Sequence, residues 1–224
     1  AEAVAGFSLG ECSALTASGA VNPATGFQVI RSRAQAMQKA ANESKSAMFA
    51  IIGAQADAIE DACKNASGYV VPVNYNSPGQ IVIAGEEEAA QAAAKILSGT
   101  GVRVVRLAVN AAFHSRLMEN ASKCFHDEIK DFSFSKPAVD FYSNITGDRT
   151  LIDDIPEYLK KQMTSPVLFS NEMSSMFRDG IDTFIELGPG KTLCGFIRKG
   201  LKGVRALNIE DVKSLEKCLN VLDK

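Results

Sequence analysis

Histidine is the scarcest chemically versatile residue in this 224-residue chain, with only His114 and His126 present. Any chemistry that needs an imidazole base therefore has two candidates. Cysteines are few and unpaired in pattern: Cys12, Cys63, Cys124, Cys194 and Cys218 are scattered, odd in number and form no C-x-x-C. That pattern excludes a disulfide framework and a cysteine zinc site, and points to a reducing compartment. No apolar run reaches the length of a membrane span. Neither sign of charge dominates, with 24 basic against 26 acidic residues, and no basic patch marks a nucleic-acid binder. Internal repeats, low-complexity stretches and a recognisable signal peptide are missing as well. With 46% hydrophobic residues, the expectation is a cytoplasmic α/β protein: one sizeable domain, or a larger domain carrying a small one.

What is present begins almost at once. Ala5-Gly6-Phe7-Ser8-Leu9-Gly10-Glu11 holds Gly-x-Ser-x-Gly, the signature of a nucleophile elbow, in which a strand turns sharply, presents a serine hydroxyl and leaves as a helix. Both glycines are expected to serve a strained turn with close backbone neighbours. Ser8 then stands at a helix N-terminus, whose unpaired N–H groups favour the oxyanion formed when serine attacks a carbonyl. The alternative is a glycine-rich turn whose serine only caps a helix.

Periodicity predicts helices at 10–19 and 24–41, the second with Phe27, Ile30, Ala34, Met37 and Ala41 on one stripe. A strand at 47–53, helix at 55–64, strands at 69–75 and 80–85, helix at 86–97 and strand at 102–107 follow. The order β-α-β-β-α-β is that of a ferredoxin-like unit set into material of another type. Residues 44–110 are accordingly expected to form a small subdomain, and 1–43 with 111–224 the core. Downstream come a helix at 115–131, a strand at 139–144, helices at 155–163 and 170–179, and a buried parallel strand, Thr183-Phe184-Ile185-Glu186-Leu187. That strand ends at Gly188-Pro189-Gly190-Lys191, which opens another helix.

A serine nucleophile needs a base. His126 falls on the polar side of its helix with Ser122, Lys123 and Lys130, and reads as a solvated surface residue. His114 follows Asn110-Ala111-Ala112-Phe113 at the head of that helix, where α/β enzymes place functional groups, and is the candidate base. Arg33 shares a face with Val29, Ile30 and Met37. A buried guanidinium must be paired, either with a protein carboxylate or with one on a substrate. Asn74, Asn76 and Asn144 lie in turns or at strand ends and are ambiguous alone.

Taken in order, these segments resemble the malonyl-CoA:acyl-carrier-protein transacylases over essentially the whole chain. The nucleophile segment around Ser8, Arg33-Ala34-Gln35-Ala36-Met37-Gln38, Pro72 to Gln80, Ala112-Phe113-His114-Ser115 and Glu186-Leu187-Gly188-Pro189-Gly190-Lys191 all match in sequence order. The resemblance implies an α/β-hydrolase-like core with a parallel sheet plus the inserted ferredoxin-like subdomain. It also implies malonyl transfer by double displacement. Ser8 is the nucleophile, His114 the base and the Leu9 N–H an oxyanion donor. Arg33 holds the malonyl carboxylate, and the Gln162 carbonyl orients the histidine. Asn74, Asn76 and Phe113 flank the coenzyme A and phosphopantetheine cleft, with Phe113 in the malonyl-selective form of its segment. Malonyl-CoA is the donor and acyl carrier protein the partner, of fatty-acid or polyketide synthesis; no metal, cofactor, membrane or nucleic acid is implied, and a monomer is expected.

Two departures stand out. The family usually carries histidine where Phe7 stands, so altered rate or pH dependence is expected. Its opening strand and Gly-Gln-rich loop, which supply a second oxyanion N–H and a glutamine, have no counterpart in this sequence. Competing expectations are a serine hydrolase or thioesterase, which has no need of a carboxylate clamp, and a fragment without catalysis of its own.

Overall fold

The computed structural model describes residues 1–43 and 45–222. Strand β1 (Ala3–Ala5) leads into α1 (Gly10–Ala17), and α2 (Pro23–Glu43) follows. Asn22 starts α2 by accepting the Thr25 N–H at 3.0 Å, with Pro23 at the first helical position, where its missing N–H costs nothing. Next come β2 (Ser46–Ile52), α3 (Ala56–Asn65), β3 (Val70–Ser77), β4 (Gln80–Glu86), α4 (Glu87–Ser98) and β5 (Arg103–Arg106). They build an antiparallel sheet of order β3-β4-β2-β5, the ferredoxin-like arrangement expected from the element order.

Both faces of that sheet are covered, which explains why β2 is apolar at almost every position. Ala47, Phe49 and Ile51 point to one face and pack with Ile59, Ile83, Ala90 and Leu97 on α3, β4 and α4. Met48 and Ala50 point the other way with Val73, Val82 and Ala84, and meet Ala112 and Phe113. The second cluster joins the small sheet to the segment carrying His114.

Beyond β5, a 3-10 turn (Arg116–Met118) runs into α5 (Glu119–Ile129), so the helix expected from residue 115 opens with a tighter turn. Then follow β6 (Asp140–Ser143), β7 (Asp148–Arg149), α6 (Ile155–Gln162), α7 (Phe169–Arg178), β8 (Thr183–Leu187), α8 (Thr192–Gly200), β9 (Arg205–Ile209) and α9 (Val212–Leu222). The core holds two separate sheets: β1-β6-β7, with β1/β6 parallel and the short β7 antiparallel, and the parallel pair β8/β9. Helices α1, α2, α5 and α6 bury Leu15, Val29, Phe125, Ile129 and Leu159 against Phe141 of β6.

Three expectations need correction. The buried stripe of α2 is Gly26, Val29 and Arg33, while Phe27, expected on it, is 74% exposed. Strand β8 is parallel but only half-buried: Phe184 enters the core, while Ile185 and Leu187 are 40% and 73% exposed. The side chains of 185 and 187 share the face opposite Phe184, and the hydrophobic cluster with α7 and α8 takes up only the Phe184 side. His126 is not fully solvated. Its ring lies 3.6 Å from Glu157 of α6, half-buried between α5 and α6.

Candidate active site

Strand β1 lies parallel to β6, with Ala5 opposite Tyr142, so Gly6–Ser8 and Asn144 emerge side by side at the carboxyl ends of neighbouring strands. Ser8 adopts φ +53°, in the left-handed region, and α1 begins two residues later. The two glycines of the motif differ. A Cβ on Gly6 would lie 2.1 Å from the Gly10 carbonyl carbon and 2.2 Å from the Glu11 nitrogen, so strand end and helix start meet only because Gly6 has no side chain. Around Gly10 a Cβ would meet nothing within 4 Å, and its φ is ordinary. The expectation that both glycines are sterically required holds for Gly6 and fails for Gly10, which starts the helix with open space beside it.

His114 is the other non-glycine residue with positive φ (+60°) among the described residues. Backbone strain thus coincides with the two residues that meet: Ser8 Oγ is 2.6 Å from His114 Nε2. His114 Nδ1 lies 3.1 Å from the carbonyl oxygens of both Gln162 and Ser165. A carbonyl can only accept, so Nδ1 carries the proton and Nε2 offers its lone pair to the serine hydroxyl. Burial, reinforced by the positive charge of Arg33, pushes the His114 pKa down to about 4, against the opposing pull of the two carbonyls. The imidazole is therefore neutral at physiological pH, the form a base requires.

Arg33 reaches the same point from α2, where Gly26, Val29 and Arg33 make the buried stripe. Its Nη2 donates to Ser8 Oγ at 3.1 Å and to Gln162 Oε1 at 3.3 Å. The side chain is 4% exposed, and its Nε is buried with no hydrogen-bond partner. Among the described residues no carboxylate lies within ion-pair distance of it. Burial lowers the Arg33 pKa, while Cys12 and Glu11 oppose the shift. A guanidinium with donors to spare, aimed at a nucleophile, suits an anionic ligand group.

Residues 1–218 match the family described as the acyl transferase domain. The chain belongs to that family. A relative from Haemophilus influenzae named malonyl CoA-acyl carrier protein transacylase is 36% identical over 217 residues, covering 95% of this chain and 70% of the relative. The crystal structure of malonyl CoA-acyl carrier protein transacylase from Clostridium perfringens superposes with a TM-score of 0.94 at 41% identity, covering 98% of this chain and 70% of that one. A chain from the structure of a type II polyketide acyl-carrier protein in complex with its malonyl-transacylase matches with a TM-score of 0.93 at 31% identity, covering 98% of this chain and 72% of that one.

In this acyltransferase the remaining sequence candidates fall around the Ser8–His114 pair in different ways. Leu9 sits at the N-cap of α1, and among the described residues its N–H has no acceptor. Gln162 contributes more than a carbonyl, since its side-chain Nε2 donates to the Ser8 carbonyl at 2.8 Å. Asn74 and Asn76 are buried on β3, which is stitched to the loop after Ser165 by Val167 N–H to Val73 O and Tyr75 N–H to Val167 O, both 2.8 Å. Among the described residues neither asparagine side chain hydrogen-bonds Ser8, His114 or Arg33, and Asn76 Oδ1 is buried without a partner. Phe113 packs between the core and the small sheet. Phe7 stacks edge-on against Phe169, with centroids 5.3 Å apart, and joins Phe196 in the cluster beneath β8. It is a packing residue here, which answers what the unusual side chain does.

Two partners escape a sequence reading. Ser165 supplies a second carbonyl to His114, and Asn144 Oδ1 takes the Ser8 N–H at 2.7 Å. A carbonyl leaves no trace in residue type. Asn144 carried a weak signal, as a buriable amide at the end of a strand.

Proposed function

We propose that this acyltransferase moves a malonyl group from malonyl-CoA to the phosphopantetheine thiol of acyl carrier protein, as a cytoplasmic monomer serving fatty-acid synthesis. The observation that carries the reading is the convergence on Ser8 Oγ of a neutral imidazole and a carboxylate-free arginine. In the first half, Ser8 passes its proton to His114 Nε2 as Oγ attacks the thioester carbonyl carbon. Charge develops on the carbonyl oxygen, toward which the Leu9 N–H is free to donate. The imidazolium holds its Nδ1 proton against two carbonyls. The tetrahedral intermediate collapses, the C–S bond breaks, and His114 returns a proton to the coenzyme A thiolate. In the second half the carrier thiol gives its proton to His114 and attacks the malonyl ester, and Ser8 Oγ leaves with that proton.

Arg33 fits the free carboxylate of a malonyl group, and an acetyl group offers it nothing to pair. Asn74, Asn76 and Phe113 are assigned to the wall along which the pantetheine arm runs. Initial-rate kinetics with malonyl-CoA and holo-carrier protein test the reading: parallel double-reciprocal lines with malonyl appearing on the carrier are expected. Release of coenzyme A with malonate, and no loading of the carrier, would instead mark a hydrolase.

A further inference from the structure

Beneath the elbow lies a set of buried polar groups that the scheme above does not use. Asn144, Glu172 and Glu11 are each 0% exposed. Every polar atom of Asn144 is engaged. Its N–H donates to Glu11 Oε1 at 2.7 Å, and its carbonyl accepts the Leu168 N–H at 2.8 Å. Its Oδ1 accepts the Ser8 N–H at 2.7 Å, while Nδ2 donates to the Gly6 carbonyl at 2.5 Å and to Glu172 Oε2 at 2.8 Å. The amide orientation is fixed by chemistry, because the Ser8 N–H can only donate and the Gly6 carbonyl can only accept.

Asn144 therefore grips both sides of the turn, before and at the nucleophile, and Glu172 takes the second hydrogen of its amide. That leaves Ser8 in a conformation that serine disfavours when unsupported. It also occupies the Ser8 N–H, so the free donor at the tip is that of Leu9. Resting on the reading of Ser8 as nucleophile, we propose that Asn144, oriented by Glu172, is the positioning residue that holds the elbow in its left-handed turn and aims Ser8 Oγ at His114. Neither residue touches the reacting atoms.

The volume-conserving change Asn144→Asp tests the orientation directly. One carboxylate oxygen still accepts the Ser8 N–H, but the other faces the Gly6 carbonyl and Glu172 where a donor stood. The charged or titratable groups around it are Glu172 on α7, Glu11 on α1, Tyr158 on α6 and, farther off, Arg33 on α2. Ser8 acylation is expected to fall on the order of 10²-fold at pH 8, the scale of an ångström-sized misplacement of a nucleophile. The malonyl-CoA KM should stay near that of the parent. Activity should recover as the pH falls and the introduced carboxyl gains a proton to donate. It should recover again in the Asn144→Asp, Glu172→Gln double variant, where the amide introduced on α7 donates to the introduced carboxylate.

A purely structural defect would recover under the same conditions but would act through the folded fraction. It would lower the melting temperature while the folded protein keeps the parent's acylation rate constant, so melting curves are read beside the rates. An Asn144→Asp protein that acylates like the parent, or one that recovers under neither condition, overturns the proposal. Hydrogen exchange at the Ser8 amide of the unaltered protein is a second check, independent of whether the variants fold. Strong protection is expected, and fast exchange overturns the proposal. A neutral sulfonyl fluoride, which needs no malonyl group, serves as a parallel probe of Ser8. If the unaltered protein rejects malonyl-CoA but its sulfonylation depends on Asn144, the malonyl reading fails and this one stands. The reverse pattern sinks only this one.

Discussion

Exchanging the two motif glycines for alanine, one at a time, should give effects of opposite sign. At Gly6 the added carbon lands 2.1 Å from the Gly10 carbonyl carbon and 2.3 Å from its oxygen, both backbone atoms of the helix start. No flexible side chain is there to yield, so strand end and helix must separate. Overpacking of this kind costs about 1–3 kcal/mol, which for a chain of this size lowers the melting temperature by roughly 2–12 °C. The same movement displaces Ser8 from His114, and a shift of about 1 Å is worth on the order of 10²-fold in acylation rate. At Gly10 the new methyl meets nothing within 4 Å and the backbone needs no glycine conformation. Alanine there restricts the unfolded chain and favours the helix, a gain of about 0.4–1 kcal/mol and roughly 1–4 °C. Thermal melts followed by circular dichroism, with mass-spectrometric acylation rates beside them, read both effects. A Gly10→Ala protein that melts below the parent, or a Gly6→Ala protein that keeps the parent's melting point and acylation rate, would refute the reasoning.

Three further outcomes are expected. Because burial and Arg33 hold His114 near pKa 4, inactivation of Ser8 by a neutral sulfonyl fluoride should stay flat from pH 8 to about 5 and fall only below that. An acid limb near the ordinary histidine value of 6.5 would contradict this. The unfolded chain takes up the proton first, so His114 weakens the fold as the pH drops from 6.5 toward 4. Arg33→Ala should slow malonyl transfer roughly 10–10²-fold, the scale of a hydrogen bond to a charged group, leave acetyl transfer nearly unchanged and move the acid limb upward. Equal losses with both donors argue against the clamp. Phe7→His places a polar ring against Phe169 and Phe196 and should cost about 1–3 kcal/mol in a denaturant titration. An unchanged unfolding midpoint would show that the aromatic packing carries no weight.

The elements were legible wherever period and punctuation agreed. The stretch from residue 46 to 106 declared its order through alternating apolar runs separated by glycine and proline, and the resulting strand order is the one that order implies. Three elements lie outside those expected from the sequence. Strand β7 (Asp148–Arg149) is two residues in a run that reads as a turn, and in strand β9 (Arg205–Ile209) alternation is weak. The third is helix α9 (Val212–Leu222), whose Val212, Leu215, Leu219 and Leu222 do sit at helical spacing. At the site, Ser8 was visible in a motif, His114 through the scarcity of histidine, and Arg33 through an arginine misplaced on an apolar stripe. What residue types cannot express is backbone. The two carbonyls on His114, the difference between Gly6 and Gly10, and the free Leu9 N–H all come from main-chain atoms that every residue shares. Asn144 escaped for a related reason, since its importance lies in which two backbone groups converge on one amide.

The central claim is that Ser8 carries the malonyl group, and a single measurement addresses it. The protein is mixed briefly with malonyl-CoA, quenched in acid, digested and analysed by mass spectrometry. The account predicts one malonyl group on the peptide bearing Ser8, gone after holo-carrier protein is added, and absent in Ser8→Ala. A protein that releases coenzyme A without that adduct, or that still carries the malonyl group when Ser8 is alanine, would contradict it.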